Sequence, residues 1–268
     1  MTDTPSSEIG SNQALTHMID SMRKGQLDIT HEGTNLEVNK KLGNGGTKTV
    51  YEAVNNGSVF ALALPNTVDG VERMTKKWNV ALQEPTNTER VRSLGLLANH
   101  TCVPLSVNIN GVPFTALQMT RYQDLPFPIM DGKNVTSSTV TGDILPADVN
   151  DSKFEEYFGK IIPDIRVMIQ NGIQVGRDSI NICLVNGEPR IFLSDLGNAQ
   201  FESFTEEQRQ PVSERYISFA LSAFQNCLTE SEYQKHKVFF ESEPFKFNNP
   251  NSITHRLSEK VVSKHSVE

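Results

Sequence analysis

The chain has 268 residues, with 25 Lys+Arg against 32 Asp+Glu, a formal net charge of −7 at pH 7. That length suits one medium domain or one two-lobed domain with a tail, and 37% hydrophobic residues are enough for a packed core. The acidic balance, without a Lys/Arg run, argues against a general nucleic-acid binder; no apolar run approaches the roughly 18–20 residues of a membrane span, and the first residues carry no apolar signal core.

Residues 1–10 are small and polar and read as a flexible start. Leu15, Met18, Ile19 and Met22 then repeat at i, i+3, i+4, i+7, which predicts a short amphipathic helix over 11–24. From Leu36 to Leu64 the period shortens to two around Gly43-Asn44-Gly45-Gly46 and around the turn dipeptide Asn56-Gly57, a three-stranded antiparallel meander. Residues 70–99 read as helix, with Pro85 as a break or a start. Strands over 104–109 and 112–119 flank Asn110-Gly111, completing a five-stranded sheet with one inserted helix. Residues 123–152, rich in Pro, Thr, Ser, Asp and Gly, read as a long surface loop. Lys153 to Asn171 is a helix with Phe154, Tyr157, Phe158, Ile161, Ile162, Ile165 and Ile169 on one face, and Pro163 as a possible kink. A second hairpin, 182–185 and 190–193, turns at Asn186-Gly187. Residues 205–245 read as two or three helices and 246–268 as a polar tail. Cys102, Cys183 and Cys227 are too far apart in sequence to suggest a disulfide framework or a metal site, which fits a reducing compartment.

Two constellations carry chemistry. In the first, Gly43-x-Gly45-Gly46 lies between strands and reads by itself as a tight hairpin turn, or as one whose backbone amides can approach phosphate oxygens with no Cβ in the way. In the second, Asn181 and Asp195 bracket the second hairpin, so that one amide oxygen and one carboxylate come together, a pair suited to Mg²⁺ with nucleotide phosphates.

In this order, a glycine turn, a five-stranded sheet with one helix, a long helix and Asn181–hairpin–Asp195-Leu196-Gly197 resemble the protein kinase-like fold over residues 36–225. The resemblance implies an α+β protein of two lobes, an N-lobe over 31–122 and a reduced C-lobe over 123–245, with Mg²⁺-ATP between them. It implies Asp195 and Asn181 as metal ligands. Leu42, Val50 and Ala61 would wall the adenine, and Met119 to Tyr122 would be the hinge. The family's phosphate-pairing lysine falls at Ala63, but Lys48 stands in the glycine-rich turn, which is similar to the with-no-lysine kinases. Glu89, or alternatively Glu84, would orient that lysine. The base aspartate falls at Gly176 and the usual histidine at Gln174, with Asp178 two residues past Gly176 as the substitute.

The resemblance implies ATP and Mg²⁺ as cofactors and phosphoryl transfer to a protein hydroxyl. Two other outcomes stay open: a pseudokinase that acts as a protein-binding module, and transfer of the adenylyl group. The trimmed C-lobe is similar to minimal kinases that bacterial pathogens inject into host cells, which implies a cytoplasmic protein or one delivered into a host, with a host protein as substrate or partner. The 123–152 loop and the 11–24 helix are the expected partner contacts.

Overall fold

Three Asn-Gly dipeptides set the sheet topology. Asn56-Gly57, Asn110-Gly111 and Asn186-Gly187 all have positive φ at both residues, between 50° and 53° at Asn and 79° and 81° at Gly. That is the type I′ geometry whose twist matches the flanking strands. The computed structural model describes residues 12–126, 129–130, 135–136, 151–224, 231 and 234.

In chain order the elements are α1 (Asn12–Arg23), β1 (Ile29–His31), β2 (Thr34–Asn35), β3 (Glu37–Asn44), β4 (Lys48–Asn55), β5 (Ser58–Pro65), α2 (Val71–Ala81) and α3 (Glu84–Ser93). There follow β6 (Leu97–Ala98), β7 (Cys102–Ile109), β8 (Val112–Met119), β9 (Ile129–Met130), β10 (Val135–Thr136), α4 (Asp151–Gln170), β11 (Ile173–Gln174), β12 (Ile180–Val185), β13 (Glu188–Leu193), β14 (Gln200–Phe201) and α5 (Glu206–Phe224). The protein is α+β, and two compact units divide the chain: residues 1–88 with 99–121, and residues 89–98 with 122–268.

Unit 1 is built on an antiparallel sheet of seven strands, in the order β2-β1-β7-β8-β5-β4-β3, not five. The two additional strands are only three and two residues long, too short to show a period of two, and they join the sheet through β1 on β7. The 70–99 segment divides into two helices, with Pro85 in the first turn of α3, where its missing N–H costs nothing. On α2, Met74, Trp78 and Ala81 are buried at i, i+4 and i+7, and the Trp78 indole donates to the Thr115 carbonyl at 2.8 Å.

The 11–24 helix forms as α1 and packs on the domain. Leu15, Met18 and Ile19 are at most 1% exposed in the unit 1 core. Its apolar face is therefore spent inside the unit.

Unit 2 centres on the β12–β13 hairpin. Phe158, Ile161, Ile162, Ile165, Met168 and Ile169 of α4 are buried in its core. Asp164 of α4 accepts three bonds from Arg190, at 2.8, 2.9 and 3.2 Å, and one from the Ile191 amide at 2.8 Å, so the buried carboxylate is paired and satisfied. Gly172 has φ +61°, and a Cβ there would lie 2.0 Å from the Glu202 carbonyl oxygen, so only glycine fits. The expected 123–152 loop is not wholly irregular, because β9 pairs with both β10 and β12 and α4 already begins at Asp151; residues 127–128, 131–134 and 137–150 lie outside the described residues. So do the side chains of Phe154 and Tyr157, the 246–268 tail, Cys227, and most of 225–245. Among the described residues no helix is long and apolar enough to cross a membrane.

Candidate functional site

In unit 1 the strand register gathers the candidate residues on one face of the sheet. Val50 lies opposite both Gly43 and Ala63, Glu52 opposite Ala61, Lys48 opposite Pro65, and Ala61 opposite Met119. Directly paired residues share a face, and so do residues two apart on one strand. Lys48, Val50, Ala61, Ala63 and Met119 therefore share a face. Lys48 is the diagonal neighbour of Ala63, about 7–8 Å away across the strands, so its long side chain can bring an ammonium where a lysine at position 63 would. Leu42 lies in a β-bulge between the Lys41–Tyr51 and Gly43–Val50 pairs and is 38% exposed.

The Lys48 ammonium makes a close ion pair with the Glu84 carboxylate, and the two side chains are only 12% and 5% exposed. Glu84 stands in the first turn of α3, where the positive end of the helix favours a carboxylate. Glu89, the first expectation for this role, is exposed. Five residues further along an α-helix is about 140° round its axis, so Glu89 presents to a different side. Glu84, and not Glu89, is the partner of Lys48. Cys102, opposite Met119, sits in the field of this pair; burial first and then the Glu84 charge push its thiol up to about 12. Beyond Val50, Glu52 accepts a 2.5 Å bond from Arg121 and is approached by Lys40 at 3.7 Å. The Arg121 bond holds the Glu52 carboxyl below its usual range.

The glycine-rich turn has a pattern that its own folding does not require. None of Gly43, Gly45 and Gly46 has left-handed φ; a Cβ at Gly43 or Gly46 would meet nothing within 4 Å, and one at Gly45 only the Lys48 carbonyl at 3.7 Å. Neither backbone conformation nor packing inside unit 1 demands glycine at these positions. The space beside these backbones is open within unit 1.

In unit 2, Asn181 is the second residue of β12, opposite Phe192, so Ser194 is its diagonal neighbour. The Asn181 amide nitrogen donates to the Ser194 hydroxyl at 2.9 Å, which fixes the amide and leaves Oδ1 as its acceptor. Asp195 follows directly, exposed, with φ 51° and ψ 50°. The left-handed region costs a non-glycine residue energy and is met most often at turns and functional sites. Asn181, itself buried, and the exposed Asp195 thus both stand at the end of the hairpin away from its turn. Among the described residues no group of three or more His, Cys, Asp or Glu is gathered for a metal. An Asn–Asp pair instead fits Mg²⁺, which takes one or two protein ligands and completes its shell with phosphates and water.

Asp178 lies in a 3₁₀ turn, Arg177–Ser179, and is exposed. A Cβ built on Gly176 would sit 2.7 Å from the Asp178 Oδ1. The carboxylate of Asp178 therefore occupies the space that a side chain at 176 would fill. Gln174, where the kinase resemblance would put a histidine, is a strand residue paired with Gln200.

Reading the sequence missed three residues of these sites: Ser194, Asn66 and Lys77. Ser194 follows from the hairpin register once Asn186-Gly187 fixes the turn. Asn66 and Lys77, described below, reach the glycine-rich turn from 21 and 31 residues away, and no motif links them to it.

No family model matches the chain, and no curated protein matches it.

Proposed function

We propose that the chain is an atypical, minimal protein kinase, with the two-lobed protein kinase-like arrangement, that passes the γ-phosphoryl group of Mg²⁺-ATP to a hydroxyl on a protein. The buried Lys48–Glu84 pair carries the proposal. It reproduces, from the neighbouring strand, a lysine that the fold would otherwise place at Ala63, and it comes with its orienting carboxylate.

Under this proposal Glu84 aims the Lys48 ammonium at the phosphates, and the open glycine turn offers amides to their oxygens. Val50 and Ala61, with Leu42 and Met119, contact the base. Asn181 Oδ1 and the Asp195 carboxylate would hold Mg²⁺, which when bound neutralises charge on the phosphates. Asp178, standing in for a side chain at Gly176, accepts the proton of the acceptor hydroxyl. Phosphoryl transfer has a loose transition state, so positioning and charge dominate and a displaced base is a modest handicap.

A binding module without catalysis is the second proposal, favoured by the exposure of Asp178 and by Gln174 being tied into a strand pair. The deciding experiment incubates the chain with Mg²⁺, a host-type lysate and ATP labelled on the α or the γ phosphate, with Asp195→Ala as control. Label from γ alone, lost in the variant, supports the kinase. Label from α means adenylyl transfer, and label from neither supports the binding module.

A further inference from the structure

The glycine-rich turn is gripped from one side by the segment that leads into α2. The Gly45 carbonyl accepts a 2.5 Å bond from the Asn66 side chain, and the Gly46 carbonyl accepts a 3.0 Å bond from the Lys77 ammonium. The Thr47 carbonyl accepts the Asn66 amide at 2.9 Å. Across the hairpin, Gly45 N–H donates to the Lys48 carbonyl at 2.9 Å and Thr49 Oγ1 donates to Asn44 Oδ1 at 2.7 Å. Three successive carbonyls are thus turned toward the 66–77 segment. The N–H groups of Gly46 and Thr47 donate no backbone bond among the described residues.

The grip is itself anchored. Asp69 holds the Lys77 ammonium at 2.6 Å, with Arg73 3.4 Å from the same carboxylate. Arg23 of α1 donates to the carbonyls of Thr67 at 2.7 Å and Asp69 at 2.8 Å. Because Leu15, Met18 and Ile19 fix α1 in the core, the 66–70 connection is held by a rigid element.

We propose that Lys77 and Asn66 are positioning residues that lock the Gly45–Thr47 turn with its carbonyls turned away and the Gly46 and Thr47 amides presented to a polyphosphate. A glycine turn without such a lock would sample many conformations and lose that entropy on binding. With it, the ordering is complete before the ligand arrives. This rests on the nucleotide-binding function proposed above.

The test uses the full chain and its Lys77→Met, Lys77→Arg and Asn66→Ala variants. Affinity for Mg²⁺-ATPγS is read by calorimetry, and protection of the Gly45 and Asn66 amides by hydrogen exchange without nucleotide. The expected result is at least a tenfold loss of affinity in Lys77→Met and Asn66→Ala, with faster exchange at both amides and recovery in Lys77→Arg. Weakened binding in Lys77→Met alone, with exchange unchanged, would make Lys77 a direct charge contact and overturn the positioning role. Binding by wild type and variants within twofold would overturn the lock and leave the nucleotide function standing. A wild-type chain that binds no nucleotide overturns both.

Discussion

Removing the Lys48 ammonium takes its cation from a carboxylate that is 5% exposed. Losing one partner of a buried ion pair costs about 3–5 kcal/mol, whereas replacing both with neutral groups costs far less. Lys48→Met should therefore destabilise unit 1 by about 3 kcal/mol, and adding Glu84→Gln should restore most of it. With a urea slope near 2–3 kcal/mol/M, the single variant loses about 1–1.5 M in midpoint. Trp78 is the one tryptophan and is 2% exposed in the unit 1 core, so its fluorescence reports on this unit. A double-mutant cycle from urea titrations of the four chains should give a coupling of about 2 kcal/mol or more. Additive single effects, each below about 0.5 kcal/mol, would refute the claim of a buried, mutually dependent pair.

Three more outcomes follow from the same geometry. Gly176 has φ −75°, which alanine accepts, so Gly176→Ala should leave the melting temperature within a few degrees while displacing the Asp178 carboxylate; a kinase assay beside a thermal melt should show lost transfer with retained fold. Cys102 and Cys183 are both pushed up to about 12, chiefly by burial. In a Cys227→Ser background neither should react with a disulfide reagent at pH 8 until the chain unfolds. Since the unfolded thiols ionise near 8.5 and the folded ones do not, stability should fall above that pH. Glu52 and Asp69 are held low by Arg121 and Lys77. A depressed carboxylate stabilises above the ordinary value near 4 and loses that contribution as pH falls through its folded value, so Glu52→Gln and Asp69→Asn should flatten the acid limb of a melting-temperature profile.

Much of the strand frame was legible because three Asn-Gly turns fix register, and register fixes which side chains share a face. That is how Asn181 and Asp195 could be brought to one hairpin end, whereas Lys48 was singled out by the resemblance to the with-no-lysine kinases. β1 and β2 were not legible, being shorter than any periodic signal. Glu84 was within reach: Pro85 marks a helix start, and a carboxylate beside it sits at the positive end of α3. Glu89 was preferred by counting along the sequence, which ignores where the helix begins. The burial of α1 and the grip of Asn66 and Lys77 on the glycine turn depend on contacts across distant segments, which no local pattern encodes.

The proposed function requires both Lys48 of β4 and Asp195 after β13 for binding of Mg²⁺-ATP. Calorimetric titration of Mg²⁺-ATP into the wild-type chain, Lys48→Met and Asp195→Ala, each checked for fold by circular dichroism, tests it most directly. The account predicts saturable one-to-one binding by wild type, weakened at least tenfold in both variants. Binding unchanged in both, or no binding by the wild-type chain, would contradict it.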